Sequence, residues 1–542
     1  MTDSKLNRRQ LLVGAGALAS AAAVGYGAVT RAQNATPIAG AGTPSAATPL
    51  ASPVSDAAGA PEWPFYGNTI QGAKFTAASD ITSANAGNLR LAWNATVGGP
   101  ISSTPVIAEG IAVVGSYDGK LRAFAPYSGE LLWTYDTGAN VIEPNLKIPI
   151  GITGSAAILN NVVYTGDSAG KLHAIDAGTG KAIWTVKPNA QKAASIWSSP
   201  VIADGRLYIG IASVAKENGF RGVVVAVDIR DGKTIWQHYV TPTGTDGGGV
   251  FDVPAIDVAR GLLFTGTQNA YSADATDFGN VTSVLALELK TGKLRWAFAG
   301  AKIGGKFGPA DDVGFSASPN LFTAKINGKN VDLVGAGQKS GVYHALDRDT
   351  GAVVWEQTIS VAGPLGGMEG TSAAGNGVIV VPATAWADFN SPDAKGVVRG
   401  LDAATGAILW TDQSTAPNPG PVAIANDVAF QAGFEGVLRG LNLADGTELF
   451  SYDLGASVSG GIAVAGDVVI LGAATPVFAN FIKAGSQIWA FTLAPAAKAG
   501  TPVASPIASP EAPTETAATE TATEAPPTEP AVPSSPAATP LG

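Results

Sequence analysis

The chain has 542 residues, 46% of them hydrophobic and only 14% charged, with 68 glycines and 35 prolines. That composition suits a large apolar core broken by many turns. The 43 acidic and 33 basic residues leave a net charge of -10, and an acidic surface repels phosphate, which argues against a nucleic-acid partner. There is no cysteine, which excludes disulfides, thiolate zinc sites, covalent c-type haem and acylation at a cysteine.

Residues 1–32 read as an address rather than as structure. "KLNRRQLLVGAGALASAAAVGYGAVTRAQ" places Arg8 and Arg9 before a small-residue apolar run that begins at Leu11. Thr30-Arg31-Ala32 offers a small-x-small cleavage site. This resembles a twin-arginine export signal and implies a periplasmic, cell-surface or extracellular protein. The alternative is an uncleaved membrane anchor, and no other run is apolar and long enough to span a bilayer. Residues 33–61 and 494–542 are Ala, Pro, Thr and Ser with scattered Glu, a composition too poor in large apolar side chains to offset chain entropy. They are expected to be disordered.

Between these tails one pattern recurs at intervals of roughly 40–60 residues, the signature of a repeat architecture. A strand leads to Asp or a substitute, then Gly, then a β-prone run that closes on Trp. The closing residues are Trp133, Trp184, Trp236, Trp296, Trp355, Trp410 and finally Phe450. Upstream of each lie further strands joined by turn dipeptides, as in "SSTPVIAEGIAVVGSYDGKLRAF". Glycine tolerates positive φ in such hairpin turns. Each unit therefore reads as a four-stranded antiparallel meander. One meander cannot bury both its faces, whereas radial packing of several buries them all, so the pattern predicts an all-β propeller. "NLRLAW", ending at Trp93, is a fourth strand with no strands before it. "VSGGIAVAGDVVILGAA" and "SQIWAFTLAP" supply three strands with no closing Trp. Together they make an eighth blade, with the N-terminal strand fastening the ring over residues 62–493.

The Asp-x-x-x-Gly-x-x-x-Trp turn resembles the tryptophan-docking motif of eight-bladed quinoprotein propellers. That resemblance implies that the tryptophans pack between blades. Function must then come from the loops that depart from the repeat, which concentrate before Trp236, Trp296 and Trp355. There the sequence resembles the PQQ-dependent alcohol dehydrogenases, most closely the polyvinyl-alcohol-dehydrogenase-like branch, from about Trp63 to Leu493. The resemblance implies PQQ and calcium, or a lanthanide in calcium's place, as cofactors. It also implies a small-molecule or polymeric alcohol as substrate and an electron acceptor that the sequence does not name.

The same resemblance assigns roles residue by residue. "Glu217-Asn218-Gly219-Phe220-Arg221-Gly222" matches the run whose glutamate ligates calcium, and a hard cation takes such oxygen ligands. Asn269, in "Gly266-Thr267-Gln268-Asn269", stands where the family places an amide oxygen on the same ion, with Gln268 in place of a glycine. Lys339 matches the cation that holds the quinone carbonyls and stabilises negative charge on reduction. Phe251, in "Gly247-Gly248-Gly249-Val250-Phe251-Asp252", takes the place of the stacking Trp. The family's catalytic Asp is replaced by Gly314. Asp312 is the candidate base, since a residue two positions earlier points the same way along extended chain, and Asp311 is the second choice. His173 and His344 occupy equivalent strand positions and read as structural. A non-catalytic extracytoplasmic propeller acting as a binding or assembly scaffold is the alternative, favoured by Gly314, Phe251 and the absent cysteines.

Overall fold

The computed structural model describes residues 61–142, 148–214, 219–271, 277–300, 313–362, 367–385, 394–473 and 482–494. Eight antiparallel sheets of four main strands follow one another as the blades of a propeller. Blade 1 runs from Val106–Ala108 to Leu131–Asp136, blade 2 from Ala157–Leu159 to Ala182–Val186, and blade 3 from Val201–Ala203 to Thr234–Tyr239. Blade 4 spans Ala255–Asp257 to Leu294–Ala299, blade 5 Asn320–Ile326 to Val353–Thr358, and blade 6 Ala373–Gly375 to Ile408–Ser414. Blade 7 spans Ala423–Ala425 to Glu448–Asp453. Blade 8 joins Ile462–Ala465, Val468–Gly472 and Gln487–Leu493 to the N-terminal strand Leu89–Thr96, the closure expected from "NLRLAW".

Burial follows from the radial arrangement. The second strand of blade 1, Ile111–Gly115, is buried at every position because other blades flank both its faces. The outer strand Leu131–Asp136 buries only Trp133. Each Trp crosses to the next blade and donates its indole N–H to a backbone carbonyl there. Trp93 bonds Pro126 O at 2.8 Å, Trp133 bonds Ala177 O at 2.7 Å and Trp236 bonds Leu289 O at 2.9 Å. Trp184, Trp296, Trp355 and Trp410 repeat the contact. The ring face lies on the glycine of the next blade's turn. At Gly292, with φ of +68°, a Cβ would stand 2.5 Å from Trp236 Cε3. No side chain fits there, which explains the fixed Gly in the motif. Phe450 has no N–H to give and packs edge-on against Phe491 of blade 8, ring centroids 5.8 Å apart.

Upstream of the closing strand, residues 63–80 run across the ring. Trp63 pairs with Ile107 of blade 1, and Ile158 of blade 2 donates its amide to Pro64 O at 3.0 Å. Ile256, Leu321, Ala374 and Ile424, on the inner strands of blades 4 to 7, donate to Ile70, Gln71, Ala73 and Lys74 carbonyls. Asp80 N then bonds Gly466 O of blade 8. The segment thus takes up the free edges of the inner strands and closes one end of the axis. Its Lys74 is wholly buried, with Nζ 2.8 Å from Tyr66 O and 3.7 Å from the centre of the Tyr66 ring. Burial lowers the Lys74 ammonium to about 7.

Candidate functional site

The residue pairs singled out by sequence meet around the axis through backbone bonds between loops. Gly248 N bonds Asn269 O, Gln268 N bonds Gly249 O, and Phe315 N bonds Thr267 O. Lys339 N bonds Gly314 O at 3.1 Å and Met368 N bonds Gln338 O at 3.2 Å. Phe251, Asn269 and Lys339 therefore stand on neighbouring, mutually bonded segments of blades 3 to 6. Glu217, Asp311 and Asp312 lie outside the described residues. Of the Glu217 loop, Arg221 is described. Its guanidinium bonds Thr241 O and lies over the Tyr239 ring, 4.3 Å from the centroid.

Lys339 is fully buried, and its Nζ is 3.5 Å from Glu369 Oε1, whose side chain is 1% exposed. The sequence reading missed Glu369, because its partner lies thirty positions away and "MEG" belongs to no repeat. It also missed Trp197, whose ring meets Phe251 edge-on with centroids 5.7 Å apart. The Trp197 indole N–H is buried and has no hydrogen-bond partner among the described residues.

Beside Phe251 is an axial chamber, reached by the segment that precedes the inner strand of every blade. Its wall is rich in hydroxyls, among them Ser102, Ser155, Ser199 and Ser318, with Tyr66 of the crossing segment also lining it. Some of these hydroxyls also tie blade to blade: Ser155 N bonds Ser199 Oγ and Val253 N bonds Ser318 Oγ, both at 2.8 Å. Two carboxylates reach the wall, Glu369 and Asp252. Asp252 accepts from Thr265 Oγ1 at 2.8 Å and from Gly266 N at 2.5 Å, yet burial pushes its carboxyl up to about 7. Burial likewise pushes the Tyr66 phenol up to about 12.

His173 and His344 are both buried, as their shared strand position suggested. His173 Nε2 lies 3.0 Å from Asp167 Oδ2, and His344 Nδ1 lies 2.7 Å from Glu356 Oε1. Among the described residues no group of three or more His, Cys, Asp or Glu side chains gathers as a metal cluster. No described helix is long and apolar enough to cross a membrane.

The fold is that of a quinoprotein-type propeller. The family model described as the PQQ glucose/ethanol/alcohol dehydrogenase β-propeller domain matches residues 63–374, over half of the chain, and the chain belongs to that family. A second model, for the outer membrane protein assembly factor BamB, matches residues 394–522. Similar curated proteins include a polyvinylalcohol dehydrogenase from a Pseudomonas species, 28% identical over 60% of this chain and 57% of the relative. Another, from Sphingopyxis sp. strain 113P3, is 27% identical over 68% of this chain and 60% of the relative. The quinohemoprotein alcohol dehydrogenase ADH IIB of Pseudomonas putida is 27% identical over 54% of this chain and 46% of the relative. The chain thus spans about half to three-fifths of the length of these relatives. Among solved structures, quinohemoprotein alcohol dehydrogenase from Comamonas testosteroni superposes with a TM-score of 0.68 at 20% identity, covering 80% of each chain. A europium-containing methanol dehydrogenase gives 0.69 at 17% identity, covering 80% of this chain and 98% of the other. Both establish the fold alone.

Proposed function

We propose that this chain is an exported PQQ-dependent dehydrogenase that oxidises an alcohol to a carbonyl. The observation that carries this reading is Lys339. A fully buried ammonium is costly unless something negative faces it, and here it sits beside Glu369, which lines the axial chamber. An ammonium so placed is ready to hold carbonyl oxygens and to stabilise the negative charge that reduction puts on them. The chamber wall fits a planar, polar guest in a second respect: Phe251 and Trp197 present aromatic surface, and the Trp197 N–H has no acceptor among the described residues.

PQQ would supply a two-electron quinone acceptor in this site. Phe251 gives it an apolar face, Lys339 orients its oxygens, and Asn269 with Glu217 offers hard oxygen ligands to calcium or a lanthanide. Asp312 takes the hydroxyl proton of the alcohol. The named relatives support an alcohol substrate, small or polymeric, and the electron acceptor is a separate partner. The Arg8-Arg9 signal supports delivery outside the cytoplasm.

The test is uptake. The purified chain is mixed with PQQ and calcium, freed of unbound cofactor, and assayed by absorbance and metal analysis. One quinone and one ion per chain are expected, lost on Glu217→Ala or Lys339→Met. No bound quinone at saturating concentration would favour the second reading, a propeller acting as an assembly scaffold, to which the BamB match over residues 394–522 points.

A further inference from the structure

Gln268 replaces a glycine of the family pattern and Gly314 replaces an aspartate; in three dimensions these two departures are one. A Cβ built on Gly314 would lie 2.2 Å from Gln268 Oε1 and 2.8 Å from its Cδ. The Gln268 side chain therefore fills the room into which any side chain on residue 314 would project. Its orientation is fixed, because Nε2 donates to Phe315 O at 2.7 Å and to Ser316 Oγ at 3.2 Å. That leaves Oε1 as the atom pointing elsewhere. Gln268 is only 2% exposed, and Oε1 has no hydrogen-bond donor among the described residues. The flanking groups belong to the site just described: Asn269 is the next residue, and Lys339 N bonds Gly314 O.

We infer that Gln268 is a substrate-binding residue, its amide oxygen accepting a hydrogen bond from the hydroxyl of the alcohol. This inference rests on the proposed function. A buried acceptor without a donor is destabilising, and a guest that brings an O–H relieves it. An amide oxygen accepts that bond but cannot take the proton, so proton removal stays with a carboxylate elsewhere. It also discriminates. The alcohol carries a donor and the carbonyl product carries none, so Gln268 holds the substrate and not the product.

Two experiments on the full chain separate the parts of this inference. The first needs no cofactor. Gly314→Ala should lower the unfolding midpoint in the wild type and leave it unchanged or raise it in a Gln268→Gly background. Equal effects in both backgrounds would overturn the shared occupancy. The second uses the chain loaded with PQQ and calcium, with 1-propanol as substrate and propanal as product inhibitor. Gln268→Met should retain quinone and metal uptake, raise KM for 1-propanol about tenfold or more, and leave the propanal inhibition constant unchanged. Normal uptake with an unmoved KM, or an equal change for alcohol and aldehyde, would overturn the role of Gln268 alone. A wild-type chain that takes up no quinone would instead overturn the proposed function on which it rests.

Discussion

Lys339 and Glu369 face each other across 3.5 Å with neither side chain more than 1% exposed. The pair joins the loop of blade 5 to the segment before blade 6. Removing one partner leaves a buried charge opposite a neutral group, which typically costs about 3–5 kcal/mol. Glu369→Gln should therefore lower the urea midpoint clearly. The double change Lys339→Met/Glu369→Met should recover part of the loss, since two apolar side chains restore neutrality. Urea unfolding of the three variants at one pH checks this. A Glu369→Gln midpoint equal to that of the wild type would show that the pair carries no net weight.

The Trp–Gly docking contact makes a second, internally controlled prediction. Gly292 and Gly261 have nearly equal φ, +68° and +67°, but a Cβ at Gly261 meets nothing within 4 Å. Gly261→Ala should cost only the backbone term of a left-handed residue, about 1–2 kcal/mol. Gly292→Ala adds the collision with Trp236 and should cost roughly 1–3 kcal/mol more. Equal losses would mean that the ring simply slides aside.

The same contact explains why the fold was so legible. Asp, Gly and Trp at fixed spacing, repeated along the chain, encode a local turn and a neighbour contact together. The split eighth blade could be read for the same reason, because a Trp-closed strand without its sheet and a sheet without its Trp-closed strand are complementary. For the candidate site the family pattern pointed to Phe251, Asn269 and Lys339, which the structure sets on neighbouring bonded segments. Glu369 and Trp197 matter through partners on other blades, and no periodicity marks such pairs. The crossing segment around "WPFYGN" was missed for a related reason: it follows no repeat, and its backbone bonds are scattered over blades 1, 2 and 4 to 8. Gln268 and Gly314 were read as two separate losses, since sequence cannot show that one fills the space of the other.

Asp252 predicts a pH dependence with a definite sign. Its folded carboxyl titrates at about 7, whereas an unfolded Asp titrates near 3.9. Between these values the folded state holds more protons than the unfolded state, so stability falls as pH rises through roughly 4 to 7. Asp252→Asn keeps a neutral group that can accept from Gly266 N and donate to the Thr265 hydroxyl. The variant should match the wild type near pH 4.5 and exceed it at pH 8, as read from thermal midpoints. A constant difference across that range would exclude Asp252 as the titrating group.

Ring closure can be tested by truncation. Residues 89–96 cover the edge strand Gln487–Leu493, and Trp93 reaches blade 1 through Pro126 O. Deleting residues 62–97 should expose that edge and the apolar faces beside it, giving aggregation in place of a monomer. Light scattering of the purified truncation reports the outcome, and a monodisperse monomer with an unchanged midpoint would contradict the role of this strand.

The segment of residues 63–80 also sets an order of events. It is among the first parts of the propeller to leave the ribosome, yet its bonding partners run from Ile107 in blade 1 to Gly466 in blade 8. Individual blades can form as local meanders during synthesis, but this segment can settle only when nearly the whole chain is present. Contacts so distant in sequence form late and slowly. Completion of this docking is therefore expected late in folding, and an incomplete ring leaves Trp63 and Phe65 without part of the surface that buries them. Premature truncation products would carry that exposed beginning as a mark of incompleteness.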